Sequence, residues 1–315
     1  MNGQEPSRVE VLRPGMDTWI VDPDRLGFRD RGVGPGGPAD SFSFDLAHAL
    51  LGNDPGLAMI EFSLIGPTLV CVGEPLVAVF TGAVDFGLIT SGDNAPPVEI
   101  PPEKTFLWKP GQTLRTGPMS RGARGYLAVA GGIESPLLLG SRLGFRPVQA
   151  NEMFPCTGGK APLRQPSERV WQAPLGTLRV LPGPETNQWP SNVLFDQTWK
   201  ISQQANRMGI RLEGDPLKRD CDREMLSEPV LPGTIQINNS GLPMILGVGA
   251  QTIGGYPRIG MVIRADQDAM GQLRPGDLVR FLPVNEQEAH LAREFESARR
   301  SLWIDRLRGW NRPIG

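Results

Sequence analysis

The stretch TIQINNSGLPMILGV, residues 234–248, places two short apolar runs on either side of Asn238-Asn239-Ser240-Gly241. Asn and Gly tolerate the left-handed backbone that a tight reversal needs, so the segment predicts a β-hairpin. Short apolar or alternating runs of the same kind recur at residues 9–12, 69–72, 76–80, 126–130, 178–181, 261–263 and 278–282, punctuated by Gly and Pro. With 39 Gly and 31 Pro among 315 residues, turns dominate the connections. Many short strands at this spacing point to barrels or sandwiches rather than to a parallel α/β sheet.

Helices are few. One is expected after Asp40, whose carboxylate can cap a segment carrying Phe44, Ala47, Leu50 and Leu51 and ending at Gly52-Asn53. The other is the tail, which opens with Asn285 and Glu288 at capping-box spacing and carries Leu291, Phe295, Leu302 and Leu307 on a charged background. That stripe suits packing on the protein's own barrel or docking of another protein chain, and periodicity does not choose between them. WKPGQTLRTG (108–117) and LRPGDLVRF (273–281) echo each other as Pro-Gly turns feeding a strand, which hints at two related halves. The expected division is residues 1–174, residues 175–284 and a helix over 285–315.

The length suffices for two domains or one large one. A net charge of −2 leaves no electrostatic footprint for nucleic acid. The N-terminus lacks a basic region followed by an apolar run, and no later run approaches a bilayer span, so a cytoplasmic protein is expected. Cys71, Cys156 and Cys221 are far apart, which argues against a CxxC metal site or a disulfide framework; Cys71, within LVCV, reads as a core thiol. No metal site is expected.

QTIGGYPRIG, residues 251–260, is shaped for a ligand more than for a core, although a tight β-turn between two strands carries the same Gly-Gly-x-Pro pattern. Gly254 and Gly255 are free to take positive φ and to let backbone N–H groups approach a bound group, Pro257 pins the exit, and Tyr256 offers a ring face and a hydroxyl. NRMGIRLEG (206–214) supplies Arg207 and Arg211, and SEPVLPGTIQI (227–237) supplies Ser227 and Glu228. Reactions that build negative charge on oxygen need cations and fixed N–H donors aimed at that oxygen. Arg207, Gln251 and Tyr256 are therefore the candidate catalytic residues, with Arg211, Thr252, Gly254, Gly255, Ser227 and Glu228 as candidate cofactor-binding residues. Asp40 and Glu61 are weaker acid–base candidates, since the first reads as a helix cap and the second as an ion-pair partner. GVGPGG (32–37) satisfies GxGxxG formally but follows Arg29-Asp30-Arg31 instead of an apolar strand, and reads as a loop. Gly158-Gly159-Lys160 lacks the first glycine and the hydroxyl of a P-loop. His48 and His290, both on expected helices, do not support a His-centred triad.

These strings, with GPADSFSFDLAHALLGN (37–53), AMIEFSLIGP (58–67) and YLAVAGGIESPLLLGS (126–141), occur in a fixed order. In that order the chain resembles the C subunit of the bacterial ATP-dependent 5-oxoprolinase, in the biotin-dependent carboxyltransferase or allophanate hydrolase subunit 2 family. The resemblance covers nearly the whole chain. It implies a mostly β fold of two cyclophilin-like β-barrel domains with a C-terminal amphipathic helix. It also implies cleavage of 5-oxo-L-proline to L-glutamate with ATP, the nucleotide being bound by or shared with a partner. Two partners are implied, one KipI-like and one LamB/YcsF-like. The chain alone is then expected to be inactive. Carboxyltransferase relatives instead move a carboxyl group between biotin and a urea-like amide, and a third role is a non-catalytic regulator that binds a KipI-type protein. Two places depart from the family pattern: Gly249 stands where an Asp is usual, and residues 142–169 replace a Gly-rich stretch.

Overall fold

The computed structural model describes residues 6–92, 95–219 and 225–309; Cys221 lies outside them. The chain folds mainly as β-strand, as expected, and divides into two compact units. One comprises residues 1–24, 40–173 and 300–315, the other residues 25–39 and 174–299. Residues 25–39 belong with the second unit, and the tail helix is divided between the two.

In the first unit, a six-stranded antiparallel sheet runs in the order Met153–Pro155, Arg8–Arg13, Thr68–Val72, Gln112–Thr116, Gly87–Ser91, Val98–Ile100. A five-stranded sheet runs Met16–Val21, Met59–Ser63, Arg124–Val129, Leu76–Gly82, Phe106–Trp108. Phe62, Phe80 and Trp108 lie in the core and are fully buried. Cys71 and Cys156 are buried free thiols, and burial pushes Cys71 up to about 11 and Cys156 up to about 12, so neither is a thiolate near neutrality. Helix Ser41–Leu51 starts where Asp40 accepts the Ser43 N–H at 3.0 Å, and it ends at Gly52, whose φ of 70° only glycine adopts without strain. Its apolar residues pack with Val79, Tyr126 and Ala128 of the five-stranded sheet.

In the second unit a sheet closes into a seven-stranded barrel, in the order Thr177–Pro182, Arg258–Val262, Thr234–Ile237, Pro243–Leu246, Gly209–Glu213, Trp199–Ile201, Leu278–Pro283. Parallel pairing of the first and last of these closes it. The hairpin forms as the sequence predicts: Ile235 opposes Ile245 and Gln236 opposes Met244. Asn238 accepts from the Ser240 and Leu242 N–H groups, and Gly241 takes a φ of 75°. Trp199, Ile235, Val279 and Phe281 fill the barrel.

The tail helix, Glu286–Gly309, carries the expected capping box: Asn285 Oδ1 accepts the Glu288 N–H and Glu288 returns the bond to the Asn285 N–H, each at 2.9 Å. Its apolar stripe is not one packed face. Leu307 is buried, with Trp303 and Ile304 half-buried against the first unit's core, whereas Leu291, Phe295 and Leu302 are exposed. Leu291, Phe295 and Leu302, at intervals of four and seven, share one exposed face, whereas the interval of five to Leu307 turns about 140° away from it. Within residues 142–169, Arg164 closes the first unit's helix ends, its guanidinium donating to the carbonyls of Ala49, Leu50 and Leu307. No helix among the described residues is long and apolar enough to cross a membrane.

Candidate functional site

Residues 248–257 run beside the barrel in the second unit. The short strand Ile253–Gly254 pairs antiparallel with Glu228–Pro229, placing Glu228 opposite Gly254, and the Val230 N–H donates to the Thr252 carbonyl at 2.9 Å. Ser227, Glu228, Thr252, Gly254 and Gly255 are thereby brought together, although the sequence separates them by more than twenty residues. A Cβ on Gly255 would lie 3.3 Å from Ser227 Oγ.

Neither Gly254 nor Gly255 takes positive φ, contrary to the expectation from the sequence. Gly254 serves instead for close approach, because a Cβ there would meet Gln236 Nε2 at 2.7 Å. Gln236 is fully buried within Thr234–Ile237, and its Nε2 donates to the Tyr256 carbonyl at 3.0 Å. Its Oε1 has no partner among the described residues. A glutamine inside an apolar barrel strand is a readable signal, but a hairpin pattern absorbs it as an ordinary alternating residue.

Glu228 is engaged by Arg258, which also grips Glu185 through Nε at 2.9 Å and Nη2 at 2.7 Å. Those bonds hold the Glu185 carboxyl below the usual carboxylate range and raise Arg258 further above its own.

Arg207 and Arg211 end in different surroundings. Arg207 is buried in the turn before strand Gly209–Glu213, and its Nη2 donates to the Gly37 carbonyl at 2.6 Å, while its own carbonyl accepts the Gly249 N–H at 2.9 Å. Arg211 lies within the strand, exposed, donating to Gln204 Oε1 at 2.8 Å. A spacing of four shares a face in a helix or in an unbroken strand, but here Arg207 lies in the turn ahead of the strand that holds Arg211.

Arg207 thus braces the GVGPGG loop. Gly36 and Gly37 adopt φ of 66° and 73°, and a Cβ on Gly34 would lie 2.9 Å from the Ala250 carbonyl. The glycines let this loop lie against residues 248–250, a role that its reading as an isolated loop did not reveal. Gly249 is tightly placed as well: a Cβ would sit 3.2 Å from the Arg207 carbonyl.

Gln251 is exposed, and Tyr256 is 39% exposed. Tyr256 and Gly255 line a cavity of about 840 Å³ together with Asn239, which the sequence marks only as a turn residue, and with Trp189, Lys218 and Arg219, which it does not single out. Lys218 and Arg219 sit in a polar stretch with no motif around them. Among the described residues, no group of three His, Cys, Asp or Glu is arranged to hold a metal ion.

Asp40 and Glu61 lie in the first unit. Asp40 is the helix cap and also accepts from Ser43 Oγ. Glu61 is fully buried and accepts the Tyr126 hydroxyl at 2.7 Å, while that hydroxyl accepts the Asp40 N–H at 2.8 Å.

The chain is thus a β-rich protein of two units, one of them a closed barrel with a glycine-rich, arginine-braced segment at its side. The carboxyltransferase domain model, subdomains A and B, matches residues 31–283, and the chain belongs to that family. It is 33% identical over 305 residues to the C subunit of 5-oxoprolinase from Escherichia coli, covering 91% of this chain and 94% of that protein. It is 30% identical to urea amidolyase of Saccharomyces cerevisiae, covering 92% of this chain but 17% of that protein. The urea carboxylase structure of Kluyveromyces lactis matches with a TM-score of 0.83 at 25% identity, over 95% of this chain and 29% of that one. The chain therefore spans nearly all of the separate 5-oxoprolinase chain and a minor part of the urea enzymes.

Proposed function

We propose that the chain is one component of an ATP-dependent 5-oxoprolinase-type complex that opens 5-oxo-L-proline to L-glutamate. The observation that carries this reading is the two-way coverage of the Escherichia coli C subunit, a separate chain of matching extent. KipI-like and LamB/YcsF-like chains are its partners in this reading, and it acts only with them.

Opening the lactam adds water across the amide C–N bond and passes through a state with negative charge on the former carbonyl oxygen. The side chains suited to that charge are the Gln251 amide and the Tyr256 hydroxyl, both reachable from solvent. Arg207 acts as a positioning residue. Its guanidinium fixes residues 36–37 and its carbonyl fixes Gly249, two residues before Gln251.

Among the residues expected to hold ATP, Arg211 is tied to Gln204 and Glu228 to Arg258, and Gly254 and Gly255 are not in the positive-φ conformation of a phosphate-binding nest. These residues do not fit a triphosphate cradle by themselves, and ATP is assigned to a surface shared with a partner.

The test is ATP-dependent glutamate formation by the chain co-expressed with its two candidate partners. Activity should require all three chains and fall about 100-fold in Gln251→Ala, by the scale of losing one oxyanion donor. A stable complex without turnover sinks the reading. The second reading, a biotin-dependent carboxyltransferase acting on a urea-like amide, is favoured by the urea carboxylase likeness and would be tested by carboxyl transfer from carboxybiotin to urea.

A further inference from the structure

The cavity beside Tyr256 has a feature that the proposed chemistry does not use. Two of its lining residues carry buried N–H donors with no acceptor among the described residues: Trp189 Nε1 and Arg219 Nη2. Trp189 is only 4% exposed, so its indole N–H has no access to bulk water. Leaving a buried donor unpaired costs on the order of 1–3 kcal/mol, more when the group is charged. Other buried side-chain atoms among the described residues also lack a hydrogen bond, but Trp189 Nε1 and Arg219 Nη2 are the two that belong to residues lining this cavity.

The two side chains are held next to each other. The Arg219 guanidinium carbon stands 5.9 Å from the centre of the Trp189 ring, and its Nε donates to Gln188 Oε1 at 2.8 Å. That bond fixes the plane of the guanidinium and leaves Nη2 uncommitted among the described residues. Lys218 adds a second cation, and no described lining residue is acidic. Glu185, which feels the Arg219 charge, is already bound by Arg258. Leu217, Ile237 and Pro257 add apolar wall.

Unpaired donors, two cations and an apolar wall together describe a site for an organic anion. At about 840 Å³ the cavity is far larger than a bare inorganic ion needs and lies in the range of small-molecule sites.

We propose that this cavity is the carboxylate-recognition subsite of the protein, with Arg219 Nη2 and Trp189 Nε1 donating to the two oxygens of a small organic carboxylate whose body lies toward Tyr256 and Pro257. This rests on the 5-oxoprolinase reading for the identity of the carboxylate, 5-oxo-L-proline, and not for the existence of the subsite. With Nε held by Gln188, the guanidinium offers Nη2 as a charge-assisted donor to one carboxylate oxygen.

The experiment is calorimetric titration of the full chain with 5-oxo-L-proline, L-glutamate, 5-oxoprolinamide, inorganic phosphate and ATP, repeated on Arg219→Gln and Trp189→Phe. Far-UV circular dichroism and melting checks that each variant is folded. A carboxylate ligand should bind, 5-oxoprolinamide should bind at least about tenfold more weakly, and Arg219→Gln should weaken the carboxylate about 10- to 100-fold. Trp189→Phe keeps the aromatic wall, removes only the N–H, and should weaken binding about three- to tenfold.

The proposal is overturned if neither carboxylate binds, if binding is unchanged in both folded variants, or if phosphate and ATP bind with the Arg219 dependence while the carboxylates do not. Turnover by the three-chain complex with an unaltered KM in Arg219→Gln would overturn the subsite and leave the proposed function standing. Carboxylate binding without turnover would do the reverse.

Discussion

The two units each bury a polar cluster, and the two are finished differently. In the first unit, Tyr126 joins Glu61 to the Asp40 N–H, Asp40 caps helix Ser41–Leu51, and the Thr81 hydroxyl donates to the Ser43 carbonyl. No side-chain oxygen of Glu61, Tyr126, Asp40, Ser43 or Thr81 is among the buried atoms lacking a partner. In the second unit, Trp189 Nε1, Arg219 Nη2 and Gln236 Oε1 all lack one among the described residues. A buried network that satisfies itself fixes how one element sits on another, whereas one left open around a cavity is suited to an outside molecule. The contrast holds between these two clusters and not between the units as wholes, since Thr116 Oγ1 and Arg169 Nε of the first unit are also buried without a hydrogen bond among the described residues.

The sharpest way to break that contrast is Tyr126→Phe. Removing the hydroxyl leaves the buried Glu61 carboxylate short of a donor and the Asp40 N–H short of an acceptor, so unfolding by urea should show a loss of about 3 kcal/mol. A loss below about 1 kcal/mol would show that the network does not carry the fold.

His48 gives a pH-dependent test of the same region. It is fully buried on the first helix, edge-on to Phe44 at 4.6 Å between ring centres, and burial lowers its pKa from 6.5 to about 4. The folded state therefore favours the neutral ring. Its contribution is complete above pH 6.5 and is lost as the pH falls from 6.5 towards 4, because only the unfolded chain takes up the proton in that window. Over this range the unfolding free energy should drop by up to about 3 kcal/mol, and His48→Leu should flatten that part of the profile. An unchanged slope in the variant would remove His48 as its source.

Asp40→Ala should cost about 1–2 kcal/mol through the lost helix cap, read as a shift in the urea midpoint with an unchanged m-value. The smallest expected effect is the most telling: Arg219→Gln gives up the Nε bond to Gln188 and the contact over Trp189 but also removes a buried donor without an acceptor, so stability should change by less than about 1 kcal/mol. A large destabilisation there would make the second cluster structural and erase the difference between the clusters.

Much of the fold was readable because its signals are local. Strand periodicity, the Asn-Asn-Ser-Gly turn, the Asp40 cap and the Asn285–Glu288 box each depend on residues a few positions apart, and each formed as read. What pairs across long separations was not readable. Arg207 reaches Gly37 across 170 positions, and the GVGPGG loop has no local property that assigns it to the second unit. Within the candidate site, the local pairing of residues 228–230 with 252–254 follows from two adjacent extended segments. Trp189 and Arg219, by contrast, carry no periodic or motif signal, and only the cavity brings them together.

The division of residues 25–39 from their chain neighbours bears on the order of synthesis. That segment leaves the ribosome early, yet its partners Arg207 and Val230 follow 170 and 201 positions after the residues they bond, Gly37 and Arg29. The first unit in turn waits for Leu307, near the end of the tail helix, to fill its core. A nascent chain that ends near residue 174 therefore carries the first unit without its closing segment and only residues 25–39 of the second, so each unit is completed by residues made after that point.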